Sequence, residues 1–268
     1  MVGFTMQALV LKRFLELVNI ETNAVEEKEI VKDAVLNVKN NEIICEFSDD
    51  IPYIFGRVKV TKGFSVLEEG VFGFADISKI IDFIKLFEPT DRLKVVVGEE
   101  SISIEREVPF KKITIPKLKN EEIEKKLELV RGLTANLSFD GNWKGVKFEW
   151  KNYFDVLADR LTECLADAKV VGGRLIFPIT IYPDKVEFKI KSEDGSVVIE
   201  KTLEVLKLTN PDNKKISSAY YYGVDGVFDK LDEKIRIWVA EDNSPMILER
   251  LDVGDGLYYM YILPPIAE

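Results

Sequence analysis

The sequence contains no histidine. Imidazole is the usual proton carrier near neutral pH and the commonest zinc ligand, so its absence removes Ser-His-Asp and Cys-His catalysis and most zinc sites. Cysteine is almost as scarce. Cys45 and Cys164 stand 119 residues apart in apolar contexts and are expected as buried thiols. No run approaches the roughly 18 to 20 apolar residues of a membrane span, and Met1-Val2-Gly3-Phe4-Thr5 carries no signal-peptide pattern, so a cytoplasmic location is expected. Carboxylates are abundant, yet no paired-acid motif stands out. Asp252-Val253-Gly254-Asp255-Gly256 lacks the length and ligand spacing of a calcium loop and is expected as a hairpin turn. No metal or cofactor is expected.

What is present is a chain of 268 residues, 46% hydrophobic, enough for one large packed domain or two of about 130 residues. The net charge of −10 argues against a protein that coats itself in nucleic acid, though not against a locally basic surface. Charged residues make up 31%, rich in Lys and Glu beside many Ile and Val, a mixture that fits a thermophile.

The chain also repeats itself. Ile77-Ile80-Ile81-Ile84-Phe87 has a helical apolar period and leads through Glu88-Pro89-Thr90-Asp91 into the strand-like Leu93-Lys94-Val95-Val96-Val97. Tyr220-Val224-Val227-Phe228-Leu231 has the same period and leads through Asp232-Glu233-Lys234 into Ile235-Arg236-Ile237-Trp238-Val239. Leu93 and Ile235 lie 142 residues apart, about half the chain, which implies two similar domains and not a solenoid of short units.

Helices are predicted at 8–20, 76–88, 152–169 and, weakened by Gly223 and Gly226, at 219–231. Strands are predicted at 34–38, 42–47, 54–60, 93–97, 101–106 and 110–115 in the first half. In the second they are predicted at 134–139, 144–150, 174–181, 185–191, 196–205, 235–240, 246–252 and 257–263. The charged stretch from Pro116 to Gly132 breaks both periods and is expected to be a connector or a short exposed helix. The expected class is α+β: domains at 1–116 and 134–268, joined by 117–133, each an antiparallel sheet with two helices on one face.

This organisation resembles the sliding clamps of archaea and eukaryotes, the proliferating cell nuclear antigen (PCNA) family. Asn243-Ser244-Pro245-Met246-Ile247-Leu248-Glu249 is similar to the family's polar turn and "P-(M/L)-x-(L/F)-E" strand, and Tyr261-Ile262-Leu263-Pro264-Pro265-Ile266-Ala267-Glu268 to its closing tail. Ser218-Ala219-Tyr220 before a helix that leads into Lys234-Ile235-Arg236-Ile237 is similar to the second-domain helix, and the stretch after Pro116 lies where the family has its interdomain loop.

The resemblance implies a pseudo-sixfold ring of three two-domain subunits, with sheets outside and helices lining a hole for duplex DNA. It implies a non-enzymatic processivity factor that tethers DNA polymerase and other clients through a short peptide motif and is placed on DNA by a clamp loader. The DNA-facing residues would be Lys12, Arg13, Lys79, Lys85, Lys151, Arg160 and Lys230, with Lys169 beside them. Here the chain departs from the family, because Glu16, Asp76, Asp82, Glu88, Asp155, Asp159, Glu163, Asp167, Asp225 and Asp229 share those helices. The client groove would use Leu127, Leu129 and Val130 of the connector, Leu263, Pro264, Pro265 and Ile266 of the tail, and Phe47 as floor. The subunit edges would be Pro109 to Ile115 and Ser196 to Glu204, bringing Lys111, Lys112 and Ile113 towards Val198, Glu200 and Glu204. Two alternatives to a homotrimer stay open: a clamp-like subunit of a heteromeric ring or a monomer with other partners, and a metal-dependent Asp/Glu enzyme.

Overall fold

The computed structural model of the chain describes residues 2–21, 31–48, 54–134, 142–143, 146–147, 149–171, 177–192, 195–219 and 224–265. Its first half runs β1 (Val2–Gln7), α1 (Ala8–Val18), β2 (Ala34–Lys39), β3 (Glu42–Ser48), β4 (Phe55–Val60), β5 (Phe64–Glu68), β6 (Gly70–Phe74), α2 (Ile77–Ile84), β7 (Arg92–Val97), β8 (Ser101–Arg106) and β9 (Lys111–Pro116). The connector holds α3 (Asn120–Thr134) and two short strands, β10 (Asn142–Trp143) and β11 (Val146–Lys147). The second half repeats the first: β12 (Asn152–Leu157), α4 (Ala158–Val171), β13 (Ile179–Ile181), β14 (Val186–Lys191), β15 (Val198–Thr202), β16 (Val205–Thr209), β17 (Ile216–Ser218), α5 (Val224–Phe228), β18 (Lys234–Val239), β19 (Met246–Arg250) and β20 (Leu257–Leu263).

The 142-residue spacing holds at the level of register. Leu93 pairs with Met6 of β1, and Ile235 pairs with Val156 of β12; all four are buried. Period-two burial in each strand turns one face towards the helices, where Phe4, Phe72, Phe74, Phe154, Phe177 and Phe188 are almost fully covered. Leu11, Phe14, Leu15 and Val18 place the apolar stripe of α1 on that face, beside α2 and β4. Asp76 caps α2, its carboxylate accepting the Lys79 backbone N–H at 3.1 Å.

The sheets do not respect the halves. β20 pairs with β4, so nine strands run β16-β12-β18-β19-β20-β4-β3-β2-β6 across the middle of the chain. The remaining strands form a five-stranded sheet, β5-β1-β7-β8-β9, a four-stranded sheet, β15-β14-β13-β17, and the two-stranded pair β10-β11. Translated through the repeat, β5-β1-β7-β8-β9 corresponds to β16-β12-β18-β19-β20, and β15-β14-β13-β17 to β4-β3-β2-β6. The two smaller sheets are therefore the two halves of the large one, left apart with β9 and β15 as open edges.

Several sequence expectations are corrected. The helix predicted at 152–169 is a strand followed by a helix. Phe154 and Val156 alternate with Tyr153 and Asp155 in β12, and turning starts only at Ala158. The strand at 2–7 and those at 64–68, 70–74 and 216–218 are additions. Residues 196–205 divide into two strands because the chain leaves one sheet for another at Leu203-Glu204. The connector is helical over fifteen residues, and its end at Thr134 replaces the start of the strand predicted at 134–139. Of the helix predicted at 219–231, α5 covers Val224–Phe228 and ends before Asp229, while 220–223 lie outside the described residues; Gly226 lets α5 lie close to the chain, since a Cβ there would collide with the Glu21 carbonyl. Tyr220, and most of 134–139 and 144–150, lie outside the described residues.

Candidate functional site

The helix side carries the basic residues, and most are already partnered. Lys12 pairs with Glu16 one turn on at 3.5 Å, and Lys85 with Asp82 at 2.8 Å. Arg160 reaches Glu163 and Glu204, both at 2.8 Å. Arg13 crosses between the halves, donating to the Lys230 carbonyl at 2.8 Å and to Asp232 at 2.9 Å. Lys79 and Lys169 are exposed, with no carboxylate in ion-pair range among the described residues; Lys230 is half-buried. Lys151 is a correction. It precedes β12 instead of lying on a helix, pairs with Glu149, and lines an open polar cavity of about 690 Å³ with Asn152, Asp212 and Lys214.

The opposite side of the nine-stranded sheet holds the connector. Val130 of α3 is 4% exposed and packs with Phe55, Ile247, Met260 and Ile262, where β4 meets β20 and β19. Leu127 leans on Val35, Leu118 and Ile123. Leu129 and Val130 face Glu46, Phe47 and Ser48 across a cavity of only about 20 Å³. Pro264 and Pro265 are half-buried just beyond β20, and Ile266 lies outside the described residues. Leu263 is fully buried in the main core on the helix side. Phe47 also belongs to that core, its ring 6.3 Å from Tyr261 and lying over Gly56, and touches the cavity only at the strand end.

At the open edges, Lys112 pairs with Glu105 at 2.9 Å, and Lys189 pairs with Glu200. The bond from Lys112 holds the Glu105 carboxyl below its ordinary range. Lys111 lies over the Phe87 ring at 4.9 Å, and Ile113 packs on the core. Glu204 is taken by Arg160. Large apolar side chains gather at these edges: Val108 is 85% exposed, Phe110 73%, and Val197 and Val198 46% each. The edges expected from the sequence, Pro109 to Ile115 and Ser196 to Glu204, take in Phe110 and Val197 without singling them out and stop short of Val108, although apolar residues flanking an edge strand are a signal available in the sequence.

A second feature was also missed. Arg236 of β18 holds Asp155 at 2.7 and 3.0 Å and lies over Tyr153 and Trp238, at 4.2 and 5.4 Å from the ring centres. Trp238 and Tyr258 both donate to Glu249, and burial with that carboxylate raises the Tyr258 hydroxyl far above its usual range. Alternation of Tyr153 with Asp155, and of Arg236 with Trp238, was the legible clue. Among the described residues no group of three or more His, Cys, Asp or Glu could hold a metal ion, and no helix is long and apolar enough to cross a membrane.

No protein-family model and no curated protein sequence matches the chain. Solved structures do. The A. fulgidus PCNA bound to the C-terminal region of FEN-1 aligns at a TM-score of 0.72 and 15% identity, over 100% of this chain and 99% of that one. PCNA from Thermococcus kodakaraensis aligns at 0.72 and 16%, over 99% and 100%. The PCNA2-PCNA3 complex of Sulfolobus tokodaii aligns at 0.68 and 14%, over 100% of both chains. At this identity the likeness speaks for architecture, and across its whole length this chain has the fold of the PCNA sliding clamps.

Proposed function

We propose that the chain is a DNA sliding clamp: three copies close head to tail into a ring around duplex DNA and tether polymerase and other DNA enzymes. The observation that carries this reading is the pair of open edges. Joining β9 of one copy to β15 of the next rebuilds the nine-strand order that β20 and β4 complete inside the chain. A heterologous contact of this kind generates a closed ring when its rotation closes.

The internal seam also supplies the register. Met260 faces Arg57 across it. In the repeat Met260 corresponds to Lys112, each opposite a glutamate of the preceding strand, Glu249 or Glu105. Arg57 corresponds to Glu200, facing Glu46 and Lys189 respectively. The rebuilt seam then sets Lys112 against Glu200, Ile113 against Ile199 and Thr114 against Val198. Glu105, Lys112, Glu200 and Lys189 become one row of alternating charge. This self-complementarity favours identical subunits. Lys111 falls opposite Lys201, a like-charge pair that Glu163 and Asp167, both in contact with Lys201 at 3.3 Å, offset.

A ring needs no base contacts to hold polymerase on DNA, and diffuse phosphate attraction lets it slide. The pairing of Lys12, Arg13, Lys85 and Arg160 makes that attraction weak here, leaving Lys79, Lys169 and Lys230 as the candidate phosphate contacts. The C-terminal region of FEN-1, bound to the A. fulgidus clamp, makes a C-terminal peptide of that kind a reasonable client for the α3 face. The first test is solution mass by light scattering. A particle near three times the 30.6 kDa chain supports the ring, whereas a monomer at every accessible concentration, with no stimulation of a polymerase, sinks it.

A further inference from the structure

The connector helix is built to lie against its own sheet. Ile123, Leu127 and Val130 follow i, i+4, i+7 along one face, Glu121 and Glu122 occupy the first turn, and Arg131 the last. Its N-terminal end is firmly tied. Glu122 accepts the Lys119 N–H at 3.0 Å, Leu118 donates to the Gly73 carbonyl at 3.1 Å, and Leu118 and Ile123 are nearly fully buried on Val35. The C-terminal part is held by Val130 in its apolar cup and by the Lys126–Asp33 ion pair at 3.3 Å.

That cup is apolar and closed over by the helix. Phe55, Ile247, Met260 and Ile262 come from three adjoining strands, with Trp238 and Tyr258 at the rim. One β-branched side chain, supplied by the chain itself, fills it. On the other side of Val130, towards Val35, Glu46 and Phe47, the space left is about 20 Å³, enough for about one water molecule.

We propose that α3 is a self-occupying lid. Val130 takes the place that an aliphatic or aromatic side chain of a client peptide would fill, and the client binds by displacing the C-terminal turns of α3 while Leu118 and Ile123 keep the helix attached. The inference rests on the client-groove reading of the α3 face. The closed form lowers apparent affinity by the fraction of molecules that are open.

The test uses the full chain and a fluorescein-labelled peptide from the FEN-1 C-terminal region, with affinity read by anisotropy and α3 opening by amide hydrogen exchange. Val130→Ser and Lys126→Glu should each bind about five- to tenfold more tightly than the parent, as expected when a closed population is released. The exchanged pair Asp33→Lys with Lys126→Glu should return to parental affinity. In the parent chain, peptide should reduce protection over residues 126–131. Weaker or unchanged binding by Val130→Ser, or full protection of α3 with peptide bound, overturns the lid and leaves the groove intact. No binding by parent or variants overturns the groove reading, and the lid with it.

Discussion

Replacing Lys112 by Glu is the sharpest probe of the seam. In the separate chain the substitution costs little, because the Lys112–Glu105 pair is exposed, and such pairs are worth about 0.2–1 kcal/mol. Assembly is different. The introduced carboxylate would stand between Glu105 of its own chain and Glu200 of the next, converting one cross-seam attraction into a repulsion. Losing about 0.5–1 kcal/mol and adding a similar penalty gives roughly 1–2 kcal/mol per seam, a five- to thirtyfold weakening. A trimer contains three such seams, so the mass transition should move to markedly higher protein concentration. Glu200→Lys should do the same, and the double exchange should restore assembly, because the pair across the seam is again of opposite charge, the like-charge contacts with Glu105 and Lys189 being present within each chain whether or not it assembles. The effect should fade towards 1 M salt, where the screening length is about 3 Å. Light scattering over a dilution series reads all of this. Equal trimer stability in parent and Lys112→Glu, or no rescue by the double exchange, would refute the register and with it the derivation from the internal seam.

Arg13→Ala removes the bridge from α1 to Asp232 and the Lys230 carbonyl; a loss of about 1–2 kcal/mol should appear in urea unfolding, with no requirement for DNA. Gly226→Ala should overpack α5 against the Glu21 carbonyl and cost about 1–3 kcal/mol, lowering Tm by roughly 2–10 °C in a thermal melt. Glu105 has a folded pKa held down by Lys112, so its contribution is present above its ordinary value of 4.5 and lost as pH falls through the lower folded value. Melts of parent and Lys112→Ala should therefore differ at neutral pH and converge in acid. Alanine at Lys79, Lys169 and Lys230 should reduce clamp-dependent polymerase stimulation most at higher salt, whereas alanine at Lys12 and Lys85 should matter less; equal effects from both sets would mean that ion pairing does not set phosphate contact.

Much of the fold was legible because its repeat is carried by apolar side chains whose spacing survives in one sequence, as Leu93 and Ile235 illustrate. Failures came where two periods coincide. Phe154, Leu157 and Leu161 satisfy a helical spacing, yet Phe154 belongs to β12 because Ile237 of β18 stands beside it in the sheet, information held about 80 residues away. The site was less legible than the fold. Phe47 and Leu263 were assigned to a groove by position, while strand alternation turns both towards the helices. Truncation before Leu263 would therefore remove the Met246–Leu263 pairing and core contacts as well as any groove residue. Of the basic residues named for the helices, Lys151 is not on one; the carboxylates one turn from Lys12, Lys85 and Arg160 were visible in the sequence, whereas Asp232 beside Arg13 and Glu204 beside Arg160 are far along the chain, where sequence spacing gives no account of distance.

The two kinds of seam differ in substance as well as in covalent linkage. Inside the chain, the outer surface of the junction is apolar and roofed by a helix: Phe55, Ile247, Met260 and Ile262 under Val130. The corresponding positions at the open edges are Val198, Ser103, Lys112 and Thr114, one valine beside charge and hydroxyl groups, with no helix over them among the described residues. A ring made from this chain would alternate welded joints with electrostatic clasps. It would be expected to part only at the clasps, with an ease set by ionic strength, so that a loading machine would need to find an edge and not break a core.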